Sequence, residues 1–171
     1  MRVLVANIPL PRNRFLVDLN SALSQQCVLT HSSDDFWGMQ GIYDIVHLHW
    51  PEYITHEIET AYKGQFDENL IRSLAERLAF WSSRASIVVT RHNSSPHDAP
   101  DDPNWKRVYE LVFSFAAGVV HMGHASIDDF KQRYCDLVSC TSRPMSHSLI
   151  PIQNYASLPN TVSKDQARKA F

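Results

Sequence analysis

Glycine is scarce in this chain, at five residues of 171. None falls in Asn7-Ile8-Pro9-Leu10-Pro11-Arg12-Asn13, the loop that follows the first apolar run. A pyrophosphate reaches a Rossmann turn only where Gly-x-Gly-x-x-Gly lets the backbone approach it, so the usual dinucleotide site is excluded. Neither a Gly-x-x-x-x-Gly-Lys phosphate loop nor a Gly-x-Ser-x-Gly nucleophile elbow occurs. Cysteine is scarce too. The three cysteines, Cys27, Cys135 and Cys140, are an odd number without a Cys-x-x-Cys pair, which argues against a disulfide framework or a cysteine zinc site and for a reducing compartment. Long apolar runs are missing: nothing approaches the ~18 residues of a membrane span, and the N-terminus lacks a signal-peptide pattern. A cytoplasmic location is the expectation. The net charge of −2 gives no general attraction to nucleic acid.

What is present is an alternation of two hydrophobic periods. Arg2 to Ala6, RVLVA, reads as a strand buried on both faces. RFLVDLNSALSQQ sets Phe15, Leu16, Leu19 and Leu23 on one side of a helix, with Asn13 as its N-cap. Cys27 to Thr30 reads as a short strand and Tyr43 to Trp50 as a strong one, stopped by Pro51. ITHEIETAY suits a short helix. DENLIRSLAERLAFWSSRAS places Leu70, Leu74, Leu78 and Trp81 on one stripe and is the best helix in the chain. Ser86 to Thr90 is the next strand, NWKRVYELVFSFA a helix opened by DDPN, and Gly118 to Met122 another strand. ASIDDFKQRYC is a short helix with a cap signal at Ser126. Ser148 to Ile152 is the last strand, and Ser163 opens a final helix. Strands alternating with helices imply an α/β fold: a Rossmann-like three-layer α/β/α domain with a mostly parallel central sheet and right-handed crossovers.

Open α/β sheets bind ligands outside the carboxyl ends of their strands. Of nine histidines, His49, His92, His97, His121 and His124 follow predicted strands. VVTRHNSSPHD, from Val88 to Asp98, therefore reads as one wall of a cleft. Each member has a plainer reading. His47 and His49 share a strand face, where a histidine is as readily a satisfied core residue; Trp50-Pro51 is a strand stop; Arg91 is a surface charge; Asp98 to Asn104 is a solvated loop capping the next helix. Zinc needs three ligands on a helix or tight turn, and the histidine spacings supply no His-Glu-x-x-His or similar frame.

Four segments in order carry a family resemblance: YDIVHLHWPE from Tyr43, IVVTRHNSSPHD from Ile87, AAGVVHMGHAS from Ala116, and SLIPIQNYASLPNTVSKDQARKAF from Ser148. Together they resemble the N-terminal half of GT-B glycosyltransferases, especially bacterial members of glycosyltransferase family four and their relatives. The resemblance spans nearly the whole chain, and NTVSKDQAR is its most specific part. It departs at Ile152-Gln153, where the family has His-Gly, and in the first loop, where Pro9, Pro11 and Asn13 replace a glycine-rich turn.

The resemblance implies that residues 1–161 are a Rossmann-like acceptor-side domain, one half of a GT-B fold. Residues 162–171 would begin the helix leading to a C-terminal donor-binding domain. The implied activity is transfer of a sugar from a nucleotide-sugar donor to a saccharide or lipid-linked acceptor in cell-surface polysaccharide synthesis, without a cofactor or bound metal. His92 would be the catalytic residue, lining the donor sugar and the transition state. Asn93, Ser94 and His97 would bind hydroxyls, Trp50 would stack on a sugar, and Arg14 and Arg91 would help hold phosphate. Asn13, His49 and Tyr155 complete the expected acceptor site. Beside the apolar stripe of the helix from Asn69 to Arg84 lie Arg72, Arg77 and Arg84, with Trp81 near its end, which suits peripheral contact with the inner face of the membrane. Two other readings stand beside this one: a non-catalytic α/β binding domain on the same fold, and a metal-dependent hydrolase using the histidine cluster.

Overall fold

The computed structural model describes residues 1–8, 10, 12–64, 66–140, 144–151, 163 and 166. Fourteen short elements alternate along them. They are β1 (Arg2–Val5), α1 (Arg14–Ser24), β2 (Val28–His31), α2 (Ser33–Trp37), β3 (Ile45–Leu48), a 3₁₀ turn (Pro51–Tyr53), α3 (His56–Lys63), α4 (Glu68–Ser82), β4 (Ser86–Arg91), α5 (Pro103–Ser114), β5 (Gly118–His121), α6 (His124–Arg133), α7 (Cys135–Cys140) and β6 (Ser146–Leu149). The six strands form one sheet in the order β2-β1-β3-β4-β5-β6. Every pairing is parallel, from Arg2 against Val28 to His121 against Leu149. The fold is α/β and Rossmann-like, with helices flanking a central parallel sheet.

This strand order fixes where the helices lie. Parallel strands joined by right-handed crossovers place the helix on one face when the chain steps one way and on the other face when it steps back. The step from β1 to β2 goes one way; every later step goes the other. One face therefore receives α1, and the opposite face receives the rest. Burial agrees. Leu4, Ala6, Val46, Leu48, Ile87, Val89 and Val119 join Phe36, Ile58, Leu74, Leu78, Trp81, Val112, Phe113 and Phe130 in one core cluster. Val3, Val5, Ile8 and Leu16 are buried outside that cluster, on the α1 side.

Local chemistry explains the boundaries. Asn13, Ser32, Thr55, Asp67 and Asp102 each accept a hydrogen bond from a backbone N–H of the helix they precede. Gly41 turns the chain into β3 at φ +84°, where a Cβ would sit 2.7 Å from the Tyr43 ring. The expected stripe of α1 is corrected in part: only Leu16 is fully buried. The signal at Ser126 also differs in role. Gly123 is the N-cap of α6 and makes no side-chain cap, and the Ser126 hydroxyl is used elsewhere. β6 begins two residues earlier than expected, at Ser146. Helices α2 and α7 were not foreseen; both are short, and α2 is opened by Ser32, whose Oγ accepts from the Asp35 N–H.

Among the described residues no helix is long and apolar enough to cross a membrane. Helix α4 turns Trp81 and Arg77 toward the fold, while Arg72 and Arg84 are exposed. Trp81 is buried and donates its Nε1–H to the Phe36 carbonyl at 3.0 Å, and Arg77 lies over the Trp37 ring and donates to the Trp37 carbonyl.

Candidate functional site

The strand order reverses at β1, so the ends of β1 and β3 splay apart and open a crevice. Asn7, the second residue beyond β1, spans it. Fully buried, it accepts the His49 backbone N–H on Oδ1 at 3.0 Å and donates from Nδ2 to the Tyr53 carbonyl at 3.2 Å. A polar side chain taken wholly out of water must be paired this way. Asn7 thereby fixes the exit of β3 relative to β1, and Ile8 N–H reinforces it by donating to the same Tyr53 carbonyl.

Four rings gather where Asn7 sets that exit. The His49 Nδ1 lies 3.0 Å from His92 Nε2. Trp50 stacks on His92 with centroids 3.8 Å apart and planes 16° from parallel. Phe15, from the first turn of α1, meets His92 edge-on at 4.9 Å and His49 at 6.0 Å. His47 lies behind His49, ring centroids 4.4 Å apart, and its Nε2 is 2.7 Å from Thr90 Oγ1. The adjacent strands β3 and β4 therefore present four hydrogen-bonding side chains on one face.

These imidazoles are neutral at ordinary pH. Burial pushes His47 and His92 down to about 4, and His92 is also disfavoured by His47. Burial holds His49 well below the usual histidine value, with repulsion from His47, His92 and His31 adding to it. An N···N contact between two neutral rings needs one donor and one acceptor. Since His49 Nε2 finds no partner among the described residues, the better tautomer has His49 donating from Nδ1 and leaves Nε2 a lone pair rather than an orphaned N–H.

The other expected residues divide. Asn93 lines a small closed recess with Trp50, Pro51, Tyr109 and Phe113, and its Nδ2 is buried there without a partner among the described residues. Ser94 turns to a neighbouring recess of about 280 Å³ walled by Trp105, Tyr109, Lys106 and Arg133. His97 is exposed on the same loop. Arg91 points away: its guanidinium is buried, donates to the Ser126 carbonyl at 2.6 Å, and pairs with Asp129 of α6. Arg14 is exposed and paired with Asp18 at 2.8 Å. Asn13 caps α1. Tyr155, like the Ile152-Gln153 motif and the division at residues 161 and 162, lies outside the described residues. Trp50 offers a ligand only one face, since His92 covers the other.

Sequence reasoning places Asn7 and Glu52 just past strands, and Phe15 on the α1 stripe, without giving any of the three a role in the site. Glu52 sits in the 3₁₀ turn directly after Trp50-Pro51, 2% exposed, and accepts the Tyr109 hydroxyl at 2.8 Å. Burial raises its pKa, only partly offset by hydrogen bonds and by His97. The signal for Asn7 and Glu52 was their place just past a strand; for Phe15, its stripe read as core. A second histidine pair lies further along the same edge. His121 Nε2 is 3.0 Å from His147 Nδ1, and His121 Nδ1 is 3.0 Å from Ser126 Oγ. Among the described residues no three of His, Cys, Asp and Glu converge to hold a metal. No protein-family model matches this chain, and no curated protein matches it either.

Proposed function

We propose that this chain is the acceptor-side domain of a glycosyltransferase. In this reading it moves a sugar from a nucleotide-sugar donor to a saccharide or lipid-linked acceptor for cell-surface polysaccharide, in concert with a donor-binding domain. The observation that carries the reading is a neutral His92, stacked on Trp50 and bonded to His49, one strand from the strand-order switch between β1 and β3 of a parallel sheet. Ligands of such sheets sit at that position.

The chemistry asked of the site is modest. The acceptor hydroxyl oxygen forms a bond to the anomeric carbon, the bond from that carbon to the donor diphosphate breaks, and the electron pair leaves with the phosphate. The hydroxyl proton must be received or shared. His92 spends Nε2 as the acceptor from His49, so its own proton sits on Nδ1; from there it donates a hydrogen bond to a sugar or leaving-group oxygen and orients it, while a departing phosphate oxygen takes up the hydroxyl proton. The Trp50 stack and the His49 contact hold the His92 ring in one plane, the preorganisation that transition-state binding requires. A non-catalytic binding domain on the same fold is the second reading. It is favoured by Arg91, the cation nearest His92 in sequence, which spends its charge on Asp129 instead of facing the crevice.

The test is sugar transfer from a panel of uridine and guanosine sugar nucleotides by the product of the whole parent gene, comparing wild type with His92→Gln. The expected result is transfer by the wild type and a rate loss of about 10²-fold in the variant, the size of one lost charge-stabilising donor. Absence of both transfer and donor hydrolysis across the panel refutes the reading and leaves the binding domain.

A further inference from the structure

Helix α1 carries an apolar stripe that the described residues leave half covered. The crossover rule gives its face of the sheet no other helix among the described elements, and α1 stands over one side of that face only. Between them runs a groove of about 270 Å³. Phe15, Leu19 and Leu23 form one wall, and Val120, Met122 and Ile150 form the other. The floor is His47 and Thr90. Among the described residues these two are the only polar side chains along its length apart from Asp18, which is paired with Arg14.

Three features say what fits. On the floor His47 Nε2 and Thr90 Oγ1 are spent on each other at 2.7 Å, and the lining around them is apolar apart from Asp18. The occupant is therefore apolar along the groove. The two ends are unlike: Phe15 is shared between the groove and the ring cluster, lying edge-on to His92 at 4.9 Å. An occupant reaching that end meets the neutral histidines and Trp50, so it is polar there. The size suits one such occupant: a groove of about 270 Å³ takes a single hydrocarbon chain laid along it.

We propose that the groove binds the alkyl or isoprenoid chain of a sugar-bearing amphiphile whose head lies against Trp50 and His92. The head position rests on the transfer reading above and makes the acceptor lipid-linked. The chain position stands on the groove alone, and its test involves no transfer.

Hexyl, octyl and decyl maltosides, each below its micelle concentration, are titrated calorimetrically into the full chain. Affinity should rise about fourfold for each added methylene, the ratio expected for burying one CH₂. Ala22→Trp, which fills the groove from an exposed position of α1, and Ile150→Asp, which puts a carboxylate at its exposed rim, should each weaken decyl maltoside at least tenfold. Both should leave the thermal midpoint in place, since both sites face solvent. Chain binding without any transfer activity refutes the transfer reading and keeps the groove. Affinity independent of chain length, or unchanged by both substitutions, overturns the groove. So does binding that appears only after residues 152–171 are removed, or a concentration-dependent dimer that the two substitutions dissolve.

Discussion

Replacing His92 by Ala should destabilise the protein at neutral pH and cost it much less in acid. At about pH 8 the ring is neutral folded and unfolded, so only contacts count. The variant leaves His49 without its one ring partner, at about 1–3 kcal/mol for an unpaired buried group. It also loses the Trp50 stack and the Phe15 edge contact, at about 0.5–1.5 kcal/mol beyond area. The sum is about 1.5–4.5 kcal/mol. Acid brings in a second effect. His92 has an ordinary pKa of 6.5 and a folded value of about 4. Below 6.5 the unfolded ring takes a proton that the folded ring refuses, so the wild type loses stability as pH falls, levelling off below about 4. At about pH 5 that handicap is about 2 kcal/mol, and the alanine variant is free of it. The gap between the two proteins should therefore shrink by about 2 kcal/mol between about pH 8 and pH 5. Urea unfolding followed by tryptophan fluorescence, with unchanged m-values, reads it directly. A gap equal at both pH values would show that His92 titrates like a solvent-exposed ring and that the stack with Trp50 does not form.

Three other outcomes are expected. Glu52→Gln should raise stability at neutral pH, because it keeps an acceptor for the Tyr109 hydroxyl and removes a charge that burial opposes; Glu52→Ala, which leaves that hydroxyl unpaired, should cost about 1–3 kcal/mol in the same urea assay. Asp129→Ala should destabilise by about 2 kcal/mol, less than the about 3–5 of a fully buried pair, since Asp129 keeps water while Arg91 does not; an unchanged midpoint would mean the Arg91 charge is solvated after all. Calorimetric titration of the chain with uridine and guanosine sugar nucleotides should give weak binding or none, as the glycine-free loop after β1 lets no backbone close on a pyrophosphate; tight binding would overturn the assignment of donor binding to another domain.

The strands were legible because their residues are apolar on both faces, a pattern only a helix-covered parallel sheet uses. Helix starts were legible at Asn13 and in the DDPN opening of α5, where a side-chain acceptor precedes a helical stripe. Helices α2 and α7 escaped because neither is long enough to show a period of 3.6. The α1 stripe misled for a different reason. Apolar spacing reports that a helix face avoids water, and it does not say whether the protein or a ligand covers that face. At the site, position after a strand found His49, Trp50, His92 and Asn93. It did not separate Arg91 from them, because one residue earlier on a strand is the opposite face of the sheet. Nothing in sequence spacing ties Asn7 to Tyr53 or Glu52 to Tyr109, which meet only after the crossovers are made.

The unequal distribution of helices has a consequence for the order in which the chain is made. β1, α1 and β2 are complete once His31 has been synthesised, and α1 can then cover Val3 and Val5. The opposite face of β1, with Leu4 and Ala6, must wait for Phe36, Ile58, Leu74 and Trp81, the last of them near the end of α4. At a synthesis rate of about 5–20 residues per second, that interval lasts roughly 3–10 seconds. For that time a nearly finished β-α-β unit presents a bare apolar sheet face outside the ribosome. Its own chain cannot yet supply the cover, so a face that the finished fold keeps dry stands in water for seconds.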